Sequence, residues 1–390
     1  METRAVTRRY DLDWLRVLGI LAVFIYHSSR FFNMEDFPVK SPTWYPWVEY
    51  WNRFATTWMM PLMFMVSGAS LFYALGKGGV LAFVKDKALR LLVPLVVCDL
   101  THASLQMYLE RLTHGQFGGS FFQYLPHYFA DDFQWQGMHL WYLLVLFVFS
   151  IILYPLLRWF KGRGRGMLSR LCDLLALPGG VYALALPTIL VVVLVDPSSS
   201  VMEIYAGWPL LLYAWFILAG FVIVSHEHLR ASIEQLRWLS LAVAIPSVAV
   251  SLVLILGLPG ELTFGTTRFS LALGLRATSA WCWVLAFLGF GSLHLKLSTP
   301  FLTYANEAVL PFYILHQTVL LSVGYFVIQW AIPDLLKWLI IVPISFGIIM
   351  ALYEFVVRRF NVMRVLFGMK PLKQVAPVAT QPAQPAPERA

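Results

Sequence analysis

The chain has 390 residues, of which 59% are hydrophobic and 13% charged, with a mean hydropathy of +0.69 and a net charge of +8. Soluble domains carry about 25% charged residues, so these values exclude an ordinary soluble protein with a large core. The positive charge is no nucleic-acid signal either, because the basic residues collect between apolar stretches and not in one patch or tail.

At the ~20-residue length that spans a bilayer, ten stretches are predicted as membrane helices. They run at about 12–32, 54–75, 89–109, 139–159, 178–195, 205–225, 238–258, 270–293, 306–330 and 337–357. The expected fold class is an all-α integral membrane protein with about ten transmembrane helices. The first stretch is too long for a signal-peptide core, contains Arg16 and lacks a small-x-small cleavage site, so it is read as a retained helix. The fifth is short and holds Pro187, and Phe121 to Gln136 is aromatic and amphipathic, as expected of an interfacial segment. With the N-terminus placed in the cytoplasm, the outer segments hold only Lys40, Arg53, Arg111, Arg268 and Lys337 of the 29 basic residues. The inner segments hold most of the others, in clusters such as Arg4–Arg9, Lys77–Arg90, Arg158–Arg170 and Arg358–Lys373. This positive-inside bias predicts that both termini are cytoplasmic. Residues 1–373 are read as one membrane domain, and the Pro/Ala/Gln-rich stretch 374–390 as a disordered tail.

Polar residues inside the apolar stretches carry the functional signal. Arg16 and His27 are eleven residues apart in the first helix. At about 100° per residue they share one face, roughly 16 Å apart along the axis. Arg16 falls near the inner surface and His27 beyond the midplane. The bland alternative is a snorkelling Arg with a hydrogen-bonded core His. In the second helix, Ser67, Gly68 and Ser70 form a small-residue patch that either packs closely against a neighbour or leaves room for a substrate. Lys87 and Arg90 at the start of the third helix make an anion site or an ordinary inner-surface anchor. Asp99 and His102 follow at i and i+3, where they would share a face as a dyad, a proton relay or a polar packing pair. His139 opens the fourth helix at the outer surface, and His316 lies near mid-membrane in the ninth, after Pro311. His226-Glu-His228 looks ligand-like, but neighbouring helical positions do not face one site, and no metal site is expected.

Several motifs, in this order, resemble the membrane acyltransferase type 3 family. They are Tyr10-Asp-Leu-Asp13-Trp-Leu-Arg16 with His27, Ser67-Gly68-Ala-Ser-Leu-Phe-Tyr-Ala-Leu75, Lys87-Ala-Leu-Arg90-Leu-Leu-Val-Pro94, His139-Leu-Trp141-Tyr-Leu-Leu-Val-Leu146 and Tyr313-Ile-Leu-His316. The closing Leu352-Tyr-Glu354-Phe and Leu366-Phe-Gly-Met-Lys-Pro371 are similar to the branch that succinylates periplasmic glucans. The resemblance implies an enzyme of the bacterial inner membrane that moves an acetyl or succinyl group from cytoplasmic acyl-coenzyme A, a co-substrate, to a hydroxyl of an extracytoplasmic glycan. It implies no permanently bound cofactor, and a homo-oligomer is compatible with it. In that frame Arg16, Lys87, Arg90, Ser67 and Gly68 would bind the donor. His27 would act as general base or acyl carrier, and His316 and His139 would orient the acceptor or stabilise the oxyanion. Arg30 would either bind a succinyl carboxylate or snorkel. The alternative reading is a secondary transporter or flippase for a lipid-linked or acidic solute, which also places ionisable groups at the midplane.

Overall fold

The computed structural model describes residues 9–75, 78–135, 137–199 and 204–372. Arg4, Arg8, Lys77, Gln136, Lys373 and the 374–390 tail therefore lie outside the described residues. The chain is a helical membrane protein. Seven helices, with their extensions, are long and apolar enough to cross a bilayer. They are built on α1 (Tyr10–Ser29), α2 (Pro46–Ala74), α7 (Trp141–Lys161), α11 (Glu227–Leu252), α12 (Thr267–His294), α13 (Pro300–Val327) and α14 (Asp334–Leu352). The remaining helices are α3 (Val80–Lys87), α4 (Val93–Leu100), α5 (His102–Thr113), α6 (Phe121–His127), α8 (Arg165–Leu175), α9 (Leu186–Leu194), α10 (Leu210–Val224) and α15 (Asn361–Leu366). A two-residue hairpin pairs Ile204–Tyr205 with Trp208–Pro209 before α10.

Three of the ten expected spans take another form. The third is broken. A π-helical turn over Ala88–Leu92 joins α3 to α4, and the backbone leaves the helix at Thr101 before α5 begins. The fifth is one arm of a pair bent by 110°, in which α8 meets Gly180–Leu194. The sixth is the 15-residue α10. The interfacial segment is present as α6 and a π-helical turn over Tyr128–Asp132, with Phe122, Phe129 and Trp135 exposed.

Burial separates the helices into a centre and a periphery. The apolar windows of α2, α13 and α1 are 78%, 67% and 61% buried, whereas those of α11 and α14 are 28% and 22%. The outer helices present Leu239, Ile245, Val250, Leu339, Ile344 and Ile348 to the surroundings, as lipid-facing helices do. Arg16, His27 and His316 thus sit on central helices, where polar groups face a bundle interior.

Candidate active site

The expected stripe on α1 is real, and it faces inward. At its lower end the Arg16 guanidinium ties three helices together. Nη1 donates to Asp13 at 3.1 Å and to Asn306 on α13 at 2.9 Å, and Nη2 donates to Ser70 on α2 at 2.7 Å. At its upper end His27 meets His316, with Nδ1 of His27 and Nε2 of His316 3.0 Å apart. Nδ1 of His27 also lies 3.1 Å from the Val23 carbonyl, one turn back. Nδ1 of His316 lies 2.5 Å from the Tyr313 carbonyl.

His139 joins the same group. Its ring centroid is 5.0 Å from that of His316, and its Nε2 donates to the Ile314 carbonyl at 3.1 Å. The sequence places His139 at the outer surface, where it would contact a substrate or cap the helix in water; in the structure it is buried instead. The cause is local: Gly137 and Met138 both have positive φ, 69° and 48°, and turn the chain inward just before α7. Met138 is one of only two non-glycine residues with positive φ among the described residues, and such strain concentrates at functional sites.

A cavity of about 560 Å³ opens at the end of the bundle where the start of α1, the start of α13 and the end of α2 converge. Arg16, Lys87, Arg90, Arg364 and Lys370 line it. Lys87 feels Arg90 and Arg16 as like charges. Among the described residues, neither Lys87 nor Arg90 has a carboxylate within ion-pair distance. Burial pushes the Lys87 ammonium down to about 8, with the Arg90 charge adding to the shift. Arg364 is neutralised by Glu307 at 2.8 Å. The inner end of the cavity is polar. Ser67 and the Tyr142 hydroxyl share a hydrogen bond of 2.6 Å, and Tyr313 lies beyond. The Tyr313 ring stacks on His316 at 5.5 Å, and its hydroxyl donates to the His139 carbonyl at 2.5 Å. The cavity therefore ends one ring away from the histidine group.

The remaining expected residues fall elsewhere. Gly68 is not on the cavity wall: a Cβ there would lie 1.9 Å from the Ile217 carbonyl, so Gly68 is where α2 crosses α10. The Asp99–His102 dyad does not form, because the break at Thr101 separates the two. His102 lies 3.1 Å from the Thr101 hydroxyl, and the Asp99 carboxylate is buried without a hydrogen-bond partner among the described residues. Arg30 is occupied, donating to Glu35 at 2.7 Å, Tyr26 at 3.0 Å and the Asp36 carbonyl at 2.6 Å. His226 and His228 do converge, contrary to the helical argument. His226 is in extended backbone just before α11, so both rings reach Asp173 of α8, at 3.8 and 3.9 Å. Asn306 stands among the polar residues of the ninth stretch, and Tyr142, Tyr313 and Lys370 within the family-like motifs, but the sequence assigns none of these, nor Arg364, a role in the site.

Comparison with known proteins fits this geometry. Residues 9–354 match the family described as an acyltransferase domain. The chain belongs to this acyltransferase family. It is also similar to curated relatives named glucans biosynthesis protein C from Salmonella paratyphi A, Salmonella agona and Salmonella enteritidis. Each is 24% identical over 396 residues, covering 96% of this chain and 98% of the relative. No solved structure is significantly similar. The chain is thus a multi-pass membrane acyltransferase. The relatives' printed name concerns glucan biosynthesis, a property of those proteins.

Proposed function

We propose that the protein transfers an acyl group, acetyl or succinyl, from cytoplasmic acyl-coenzyme A to a hydroxyl of an extracytoplasmic glucan across the bacterial inner membrane. One observation carries this reading. A cationic cavity at one end of the bundle runs inward past Arg16 and Ile20 to a polar floor at Tyr142 and Tyr313, and the Tyr313 ring stacks on His316, the partner of His27. Lys87, Arg90 and Arg16 suit a polyanionic donor; Lys370 lines the same mouth. The thioester would lie along Ser67 and Tyr142, with the glucan hydroxyl approaching His27 from the opposite end. His27 removes the hydroxyl proton as the oxygen attacks the thioester carbonyl. The carbon–sulfur bond then breaks, and the thiolate takes the proton from His27, leaving free coenzyme A thiol and the ester. An acyl-histidine intermediate is the covalent variant. It would appear as a mass increment on the His27 peptide after donor is added alone.

Relatives named for glucan biosynthesis support the acceptor class, and family membership weighs against the transporter reading. The test uses purified protein in lipid vesicles with succinyl- or acetyl-coenzyme A and a glucan oligosaccharide, read by mass spectrometry. Acylated glucan and free coenzyme A are expected. Counterflow of solute without either product would contradict the proposal.

A further inference from the structure

Resting on the reading of His27 as the base, the histidine pair also fixes which nitrogen does the work. Both rings have Nδ1 held against a main-chain carbonyl, that of Val23 for His27 at 3.1 Å and that of Tyr313 for His316 at 2.5 Å. A carbonyl oxygen only accepts, so each Nδ1 carries a hydrogen. A neutral imidazole has one N–H, which leaves Nε2 of His316 as an acceptor. That nitrogen lies 3.0 Å from Nδ1 of His27. The Nδ1–H of His27 is therefore shared between the Val23 carbonyl and Nε2 of His316, and Nε2 of His27 keeps its lone pair. A doubly protonated His316 fails on two counts. It would bury a cation in the bundle interior, and it would aim an N–H at a nitrogen that already bears one.

Exposure divides the roles further. His316 is only 1% exposed, whereas His27 keeps accessible surface. His316 is held from the other side by the stacked Tyr313 ring, and Tyr313 is anchored to His139. We propose that His316 is a positioning residue: its Nε2 accepts the Nδ1–H of His27, which sets the ring and the tautomer so that Nε2 of His27 receives the acceptor hydroxyl's proton. When His27 becomes imidazolium in that step, the bond to His316 becomes charge-assisted and strengthens. His316 then acts on the reaction only through His27, a different role from contact with the acceptor or the oxyanion.

The test compares wild type, His316→Phe and His316→Gln in lipid vesicles with succinyl-coenzyme A and a glucan oligosaccharide, measuring kcat and both KM values. His316→Phe keeps a flat aromatic ring and removes the acceptor. Its kcat should fall roughly 10²–10⁴-fold, the scale of a misdirected catalytic imidazole, with both KM values little changed. His316→Gln offers an amide oxygen to the same N–H and should recover most of the loss. Nitrogen-15 NMR of His27 gives a readout independent of turnover: a single tautomer protonated at Nδ1 in wild type and in the Gln variant, and a tautomer mixture in the Phe variant. A His316→Phe enzyme with wild-type kcat, a raised acceptor KM at unchanged kcat, or a His27 protonated at Nε2 in wild type would each overturn the proposal. Wild type without turnover but with the expected tautomer would instead overturn the acyl-transfer reading and leave the histidine pairing standing.

Discussion

Lys87 and Arg16 show how differently two cations can serve one cavity. Arg16 has Asp13, Asn306 and Ser70 around it, so its charge is partly spent on joining helices. Arg16→Ala should lower both stability and donor affinity. Lys87 lies outside the candidate spans, and the like charges of Arg90 and Arg16 act on it against the opposite charge of Asp86. Burial lowers Lys87 to about 8; if the charged form binds the donor phosphates as proposed, donor affinity is full below that value and declines as pH rises through it. The KM for acyl-coenzyme A should therefore rise several-fold between about pH 7 and pH 9, and Lys87→Arg, which stays charged, should flatten the profile. A flat wild-type profile would separate Lys87 from the donor. The Arg16–His27 stripe was legible because helical periodicity alone puts both on one face. The inward turn of His139 was not, because it depends on left-handed backbone at Met138, a residue type that rarely adopts it.

Helix by helix, the small-residue patch on α2 splits into two functions that composition alone could not separate. Ser67 and Ser70 face the cavity, whereas Gly68 faces the other way and lets the α2 and α10 backbones touch. The contact is reciprocal, since a Cβ at Gly220 would lie 1.9 Å from the Met65 carbonyl. Neither backbone can yield without moving its helix. Gly68→Ala should therefore destabilise the protein by about 1–3 kcal/mol or more, as overpacking does, and appear as a lowered unfolding temperature in detergent. Ser67→Ala should leave that temperature nearly unchanged. The broken third span escaped the sequence reading for a related reason. Residues 89–109 have the length of one span, but a π-helical turn over Ala88–Leu92 and the departure from the helix at Thr101 break it. That break also undoes the Asp99–His102 pair, whose i, i+3 spacing has meaning only on an unbroken helix.

Over the whole molecule, the two ends differ in charge and in what they could hold. The end with the cavity gathers Lys87, Arg90 and Lys370, along with Lys161, which donates to the Phe72 and Leu75 carbonyls at the end of α2. At the other end Tyr45 and Ser41 donate to Asp334, itself paired with Lys337. Single cysteines at positions 370 and 40 in a cysteine-free background should label from opposite faces of the membrane, 370 from the cytoplasm. Labelling of both from one side would contradict the expected topology. The sequence carried the all-helical membrane class through hydropathy, and the cationic end through basic residues such as Lys87 and Arg90. The contribution of Arg364 and Lys370 was not visible, because only the fold brings the segment after α14 back to the α1 end.

The central claim is that His27 takes the acceptor's proton within the histidine group that the Tyr313 ring separates from the inner end of this cavity. Single-turnover transfer from succinyl-coenzyme A to a glucan oligosaccharide, measured side by side for wild type and His27→Ala in lipid vesicles, tests it most directly. The account predicts equal donor binding and transfer slower by about 10²–10⁴-fold in the variant. Transfer by His27→Ala at the wild-type rate would contradict it.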